Sequence, residues 1–223
     1  GAGDDAYVVD NALDVVSEGL NAGHDGVTSS VTYTLGDNVE DLTLTGAAAL
    51  NGTGNGLDNT LTGNDGANVL IGDLGADTLS GGLGSDILKG GAGADVLDGG
   101  SGADRLNGGA GADVLTGGAD ADVFVFSAAG GAGNVDQITD FAVADDTIWL
   151  DNAIFTLIGA DGALSASQFV IGAAAATINQ HVVYDDNTGF LYYDANGSAA
   201  GGVTQIATLT AHLALTNADF VVI

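Results

Sequence analysis

From Gly54 to Val125 the chain repeats itself every nine residues, and this restricts its fold more tightly than any other feature. Units begin at Gly54, Gly63, Gly72, Gly81, Gly90, Gly99, Gly108 and Gly117; the clearest are GGLGSDILK, GGAGADVLD, GGSGADRLN and GGAGADVLT. The eighth position is always large and apolar: Leu61, Leu70, Leu79, Leu88, Leu97, Leu106, Leu115 and Phe124. The sixth reads Asn59, Asn68, Asp77, Asp86, Asp95, Asp104, Asp113 and Asp122. A flexible glycine-rich linker would not carry an apolar anchor at a fixed period. Collagen is excluded by the absence of proline and of a three-residue period.

The physics of one unit is readable. Glycines at positions 1, 2 and 4 permit positive φ and close backbone approach, so they build a turn. The acidic residue at position 6 ends that turn. Positions 7 to 9 form a short strand whose central side chain faces inward. Two units, eighteen residues, then close one coil. Asp77, Asp95 and Asp113 fall on one edge, and Asp86, Asp104 and Asp122 on the other. Stacked coils lie about 4.8 Å apart, so carboxylates stacked at that spacing repel. A Ca²⁺ ion between them, at about 2.3–2.6 Å from each oxygen, removes the repulsion and adds ligation. The spacing calls for a cation.

Composition agrees. The 28 aspartates and two glutamates face one lysine (Lys89) and one arginine (Arg105), for a formal charge of −28. Aspartate rather than glutamate suits turns and hard-cation ligation. That charge excludes nucleic acid as a partner and opposes insertion into anionic membranes. With 46% hydrophobic residues and a positive mean hydropathy, the chain is not a disordered acidic tail. No cysteine is present, so neither disulfides nor thiolate metal sites contribute. No apolar run reaches transmembrane length. The lack of methionine, and an opening stretch that starts inside a repeat, point to a piece of a longer protein.

These units resemble the RTX (repeats-in-toxin) nonapeptide GGxGxDxUx. The resemblance implies an all-β fold: a right-handed parallel β-roll (a β-helix solenoid) with stacked calcium-binding turns and a C-terminal β-rich cap. It also implies how ions are shared. One turn gives the carbonyls of positions 2 and 4 with its position-6 side chain. The turn eighteen residues on gives the carbonyls of positions 1 and 3 with its own. Thus Gly82, Gly84 and Asp86 would pair with Gly99, Ser101 and Asp104, and Gly91, Gly93 and Asp95 with Gly108, Ala110 and Asp113. The remaining implied backbone ligands lie in the turns of Gly63, Asp65 and Gly66; Gly72, Asp73, Leu74 and Gly75; Gly81 and Leu83; Gly90 and Ala92; Gly100 and Gly102; Gly109 and Gly111; and Gly117 and Ala119. Four pairings place Asp on both sides: 77/95, 86/104, 95/113 and 104/122. Two use one Asn, 59/77 and 68/86, and are expected to be weaker. Several ions, about 4–8, are expected. Leu57 at position 4 of the first unit reads as an entry cap, and Asp120 at position 4 of the last as a closure.

Residues 1–53 read as a divergent solenoid segment. GAGDDAYVV matches positions 2 to 9 of a unit, with Asp5 at the ligand position and Tyr7 at the core position. Gly23–Val27 repeats the GxDxU core, making Asp25 a second candidate ligand. Asp10, Asp14, Glu18, Asp37 and Asp41 read as solvated turn charges, and His24 as a turn residue. Residues 54–125 form the nonapeptide roll, and 126–223 the cap. There, VDQITDF and DDTIWLD read as two strands joined by a short turn, with Asp136 and Asp140 as one further ion site. Trp149, Phe141 and Phe155 suit the covering of an open core end, Ala163–Phe169 reads as a short helix, and HVVYDDNTGFLYYD as a hairpin. The final Asp219-Phe220-Val221-Val222-Ile223 resembles the signal read by type I secretion exporters.

No active site is legible. There is no HExxH or GxSxG motif, and His24, His181 and His212 lie far apart. The expected function is a non-catalytic calcium-binding module of a larger type I secreted protein, extracellular or attached to the cell surface. Self-association or an extracellular polysaccharide are further candidate partners. The alternatives are the distal part of a surface-layer protein or adhesin, or the tail of a secreted lipase, protease or alginate epimerase.

Overall fold

The eighteen-residue coil is present as read. The computed structural model describes residues 1–20 and 22–223. Its strands form two facing sheets, one of twelve strands and one of nine, filled alternately by successive half-coils. In the first, Leu61, Leu79, Leu97 and Leu115 stack in parallel register. In the second, Leu70, Leu88, Leu106 and Phe124 do the same. All eight side chains are fully buried, so the position-8 residues are the core of the roll. The flanking positions 7 and 9 alternate outward, as a two-residue strand period requires.

Both core columns outrun the nonapeptides. Upstream, Leu42, Val27 and Tyr7 extend the first column. Gly52 and Tyr33 extend the second. At Gly52 the missing side chain is replaced by its neighbours: a Cβ there would lie 2.9 Å from Leu42 Cδ2 and 3.1 Å from Leu70 Cδ2. Leu57, expected as an entry cap, therefore lies within the stack, with further rungs before it. Downstream, Ile138 stacks on Leu115, Ile148 on Phe124, and Phe220 on Ile148. Asp120 does not close the array. Its φ of +80° adopts the left-handed conformation that glycine holds elsewhere, so the turn forms and the coil continues.

The two strands expected to be joined by a short turn, Asp136–Ile138 and Thr147–Leu150, lie in different sheets. They are a half-coil apart, not a hairpin. Beyond them the twelve-stranded sheet changes character. Asp136–Ile138 pairs in parallel with Val203–Thr208, which pairs antiparallel with Phe190–Asp194, and that strand with Val182–Asp185. The last pair is the expected hairpin. This layer buries Tyr184, Leu191 and Ile206. Phe141 and Phe155 are buried as expected, with Phe141 5.9 Å from Phe124 between ring centroids. Trp149 is not part of that core. Strand alternation turns it outward between Ile148 and Leu150, and Arg105 Cζ sits 4.7 Å above its ring. Nor is Ala163–Phe169 a helix. Gly162–Ala163 and Phe169–Ile171 are strands around a turn in which Gln168 N donates to Ser165 O, and the Gln168 carbonyl accepts from His181 and Val182. Among the described residues, the single helical element is the 3-10 turn Asn217–Asp219, capped by Thr216. No helix there is long and apolar enough to cross a membrane.

Candidate metal centre

Each position-6 aspartate folds back into the interior of its own turn. All six, Asp77, Asp86, Asp95, Asp104, Asp113 and Asp122, are 1% exposed. One oxygen of each has a fixed partner: Oδ1 accepts the backbone amide of the equivalent residue one coil earlier. Asn59 N donates to Asp77 at 2.8 Å, Asp77 N to Asp95 at 2.8 Å, and Asp95 N to Asp113 at 2.9 Å. On the other edge Asn68 N donates to Asp86 at 2.7 Å, Asp86 N to Asp104 at 2.7 Å, and Asp104 N to Asp122 at 2.9 Å. The carboxylates therefore stitch one coil to the next beside the β-ladder.

The other oxygen is unpartnered. Oδ2 of all six aspartates is buried without a hydrogen-bond donor among the described residues. It lies over the position-1 glycine, where a side chain would collide with it. A Cβ on Gly72 would sit 2.2 Å from Asp77 Oδ2 and 2.6 Å from the carbonyl oxygen of Gly90, one coil on. The same pair of oxygens surrounds Gly81 (Asp86 Oδ2 and Gly99 O), Gly90 (Asp95 Oδ2 and Gly108 O) and Gly99 (Asp104 Oδ2 and Gly117 O). Two acceptors from successive coils thus converge with no proton to share. An all-oxygen, partly anionic donor set of this kind fits a hard divalent cation, and calcium in particular. Position-2 and position-4 glycines hold the turn open: Gly91 and Gly93 have φ of +121° and +145°. Asp73, at position 2 of its unit, reaches the same region with φ +83°.

The charge is costly where it stands. Burial pushes the Asp77, Asp95 and Asp122 carboxyls up to about 6, and Asp104 to about 7, against the relief given by the backbone amides. Asp86 and Asp113 are raised for the same reason. The two basic side chains do not offset this: Lys89 and Arg105 are exposed.

Asn59 and Asn68, expected as weaker ligands, differ from the aspartates in their hydrogen bonding. Asn59 Oδ1 accepts Asn55 N at 2.7 Å, while its amide donates to the Val39 and Glu40 carbonyls. Asn68 Oδ1 accepts Asn64 N at 2.8 Å, and its amide donates to Leu50 O at 2.7 Å. Each amide oxygen still lies beside a carbonyl of the next coil: a Cβ on Gly54 would sit 2.4 Å from Asn59 Oδ1 and 2.6 Å from Gly72 O, and one on Gly63 2.5 Å from Asn68 Oδ1 and 2.2 Å from Gly81 O. An amide oxygen has two lone pairs, so one accepted bond leaves room for a ligand bond. Gly63, Asp65 and Gly66 belong to the Asn68 turn. The Asp turns differ in carrying a charge and an oxygen with no donor among the described residues.

The aspartate columns also continue where the period is lost. Asp113 N donates to Asp136 Oδ1 at 3.2 Å, and Asp122 N to Asp146 Oδ1 at 3.0 Å. Burial pushes the Asp136 carboxyl up to about 7. Asp146 differs, because its second oxygen accepts Ala142 N at 2.7 Å. Asp140, expected to share an ion with Asp136, turns both oxygens onto the amides of Gly117 and Gly118, at 3.0 and 2.8 Å. Asp146 was missed by the nine-residue spacing, yet Asp136-Gln137-Ile138 and Asp146-Thr147-Ile148 both keep the DxU signature. At the opposite end, Asp5 N donates to Asp25 Oδ1 at 2.8 Å and Asp25 N to Glu40 Oε2 at 2.8 Å, so both candidate ligands of residues 1–53 stand in the first column. Glu18 is not a solvated charge: its side chain is buried and accepts the Tyr7 hydroxyl. Exposed His24 pairs with Asp41 at 2.9 Å, and that bond raises its pKa.

Comparison with known proteins bears on the same residues. Residues 53–88 and 89–124 match the family model described as RTX calcium-binding nonapeptide repeat (4 copies). Comparison with curated proteins gave no match. Among solved structures, the chain is similar to the solution structure of the AlgE6R3 subunit from the Azotobacter vinelandii mannuronan C5-epimerase, with 26% identity over 74% of this chain and 77% of that one, at a TM-score of 0.38. Residues 53–124 are thus an array of RTX calcium-binding nonapeptide repeats, folded here as a parallel β-roll.

Proposed function

We propose that this chain is a non-catalytic, calcium-triggered folding module of a larger exported protein. The observation that carries the reading is the set of six buried aspartates, each with one oxygen unpartnered, four of which (Asp77, Asp86, Asp95 and Asp104) converge with a carbonyl of the following coil. The ligands are assigned as expected for the Asp-on-Asp pairs 77/95, 86/104, 95/113 and 104/122, with the turn carbonyls between them. Calcium, when bound, supplies positive charge between stacked carboxylates. Without it, Asp77, Asp95 and Asp113 on one edge repel along the column, as do Asp86, Asp104 and Asp122 on the other. The apo chain then resists collapse, a state suited to passage through a type I exporter. Outside the cell, ligation by the aspartates becomes folding free energy.

The experiment is direct. Far-UV circular dichroism of the whole chain is recorded in excess chelator and through a calcium titration. A cooperative gain of β-structure with calcium is expected; a roll equally ordered in chelator overturns the proposal.

A second reading, assembly into an extracellular array, is favoured by one feature. Val8, Leu13, Val15 and Leu20 are 82%, 86%, 85% and 81% exposed near the first coil. Exposed apolar surface of this kind favours stacking against another layer. Concentration-dependent light scattering in calcium supports it, and a strict monomer in calcium counts against it.

A further inference from the structure

We infer that Asp5, Glu18 and Asp25 form a separate binding site for a hard divalent cation of calcium's kind, outside the nonapeptide array. Each of the three presents a carboxylate oxygen within 4.8 Å of those of the other two. Asp25 is wholly buried, and its Oδ2 has no hydrogen-bond donor among the described residues. Its Oδ1 is already taken by the amide of Asp5 at 2.8 Å. The free oxygen has the same standing as those in the array, since one carboxylate oxygen fixes the coil and the other is left over.

Glu18 makes this site different in build. It belongs to no repeat unit, yet the fold carries its side chain inside, beside two repeat-type aspartates. Burying a third carboxylate next to two others is strongly unfavourable unless positive charge arrives with it. Asp5 Oδ2 and Asp25 Oδ2 are both buried without a hydrogen-bond donor among the described residues. A divalent ion meets these two and Glu18 together. The donors are carboxylate oxygens alone, which selects a hard ion over zinc or copper.

The inference shares only its cation class with the function proposed above, and the two fail separately. Equilibrium dialysis of the whole chain gives the number of calcium ions bound by the unaltered protein and by the Glu18→Gln, Asp25→Asn and Asp95→Asn variants. Glu18→Gln and Asp25→Asn should each lose one ion while keeping the calcium-induced circular dichroism transition; Asp95→Asn should weaken that transition and keep this ion. If the array itself binds nothing, one ion should still remain here and disappear in Glu18→Gln. Terbium luminescence supplies a second readout, because the Tyr7 hydroxyl donates to Glu18 and stands beside the ion. Tyr7→Phe should keep the stoichiometry but lose the same tyrosine-sensitised emission that Glu18→Gln loses. Unchanged stoichiometry in both Glu18→Gln and Asp25→Asn, or terbium emission indifferent to Tyr7 and Glu18 alike, overturns the site.

Discussion

The backbone amide of Asp95 donates to Asp113 Oδ1 at 2.9 Å, while Asp113 Oδ2 is buried with no donor. The two oxygens of one carboxylate thus have different tasks. The first sets the register between coils, and the second is the one the proposed function gives to a cation. This division explains why the array uses a short acidic side chain at every repeat from Asp77 onward.

Asparagine at one of these positions should separate the two tasks. Asp95→Asn keeps an oxygen for the Asp77 amide but loses the charge. In chelator the variant should be more stable than the unaltered chain, because a buried unpaired charge is gone. In saturating calcium it should be less stable, by about 1–3 kcal/mol. The β-structure retained in chelator, by circular dichroism, and the urea midpoint in saturating calcium check this reversal of sign.

Gly90→Ala should act by collision alone. The new Cβ would lie 2.2 Å from Asp95 Oδ2 and 2.6 Å from Gly108 O, at a backbone conformation open to alanine. A loss of about 1–3 kcal/mol is expected from overpacking, together with a calcium midpoint raised several-fold in a titration. Gly56→Ala, where nothing lies within 4 Å of the new Cβ, should leave both unchanged.

Acid should partly replace calcium. In the folded, metal-free state Asp95 is raised to about 6 and Asp104 to about 7, from an ordinary value of 3.8. A raised carboxylate means the folded chain holds more protons than the unfolded one between these limits. Stability in chelator should therefore rise as pH falls from about 7 towards 4, while calcium affinity falls over the same range. Circular dichroism in chelator at stepped pH tests the first statement, and calcium titration at each pH tests the second.

Leu97→Ala should be indifferent to the metal. Leu97 is fully buried between Leu79 and Leu115, so its truncation should cost about 2–5 kcal/mol. The loss should appear as a lowered urea midpoint in saturating calcium, with the number of ions bound unchanged. A variant that binds fewer ions would tie the core to the ion sites.

The coil, its two edges and its core columns were legible because each is written at a fixed period. Leu79, Leu97 and Leu115 announce their own stacking. Asp136 and Asp146 were harder to place, since loops lengthen the step from 18 residues to 23 and 24. Asn59 and Asn68 keep the pattern, while their amides add hydrogen bonds to the Val39, Glu40 and Leu50 carbonyls that no spacing announces. Glu18 was read as solvated because no local signal shows that distant coils will enclose it. Trp149 was misplaced although Thr147-Ile148-Trp149-Leu150 alternates plainly, because bulk outweighed strand parity in that reading.

The strand Phe220–Val222 has a consequence of its own. It lies against Thr147–Leu150 on one side and Gly162–Ala163 on the other, with Phe220 fully buried and Ile223 N bonded to the Leu150 carbonyl at 3.0 Å. Any protein that grips this stretch as extended chain must take the same backbone groups that Leu150 and Trp149 use. Gripping and roll completion are therefore mutually exclusive. The strand's place between two paired neighbours withdraws the stretch from view for as long as the roll stays intact.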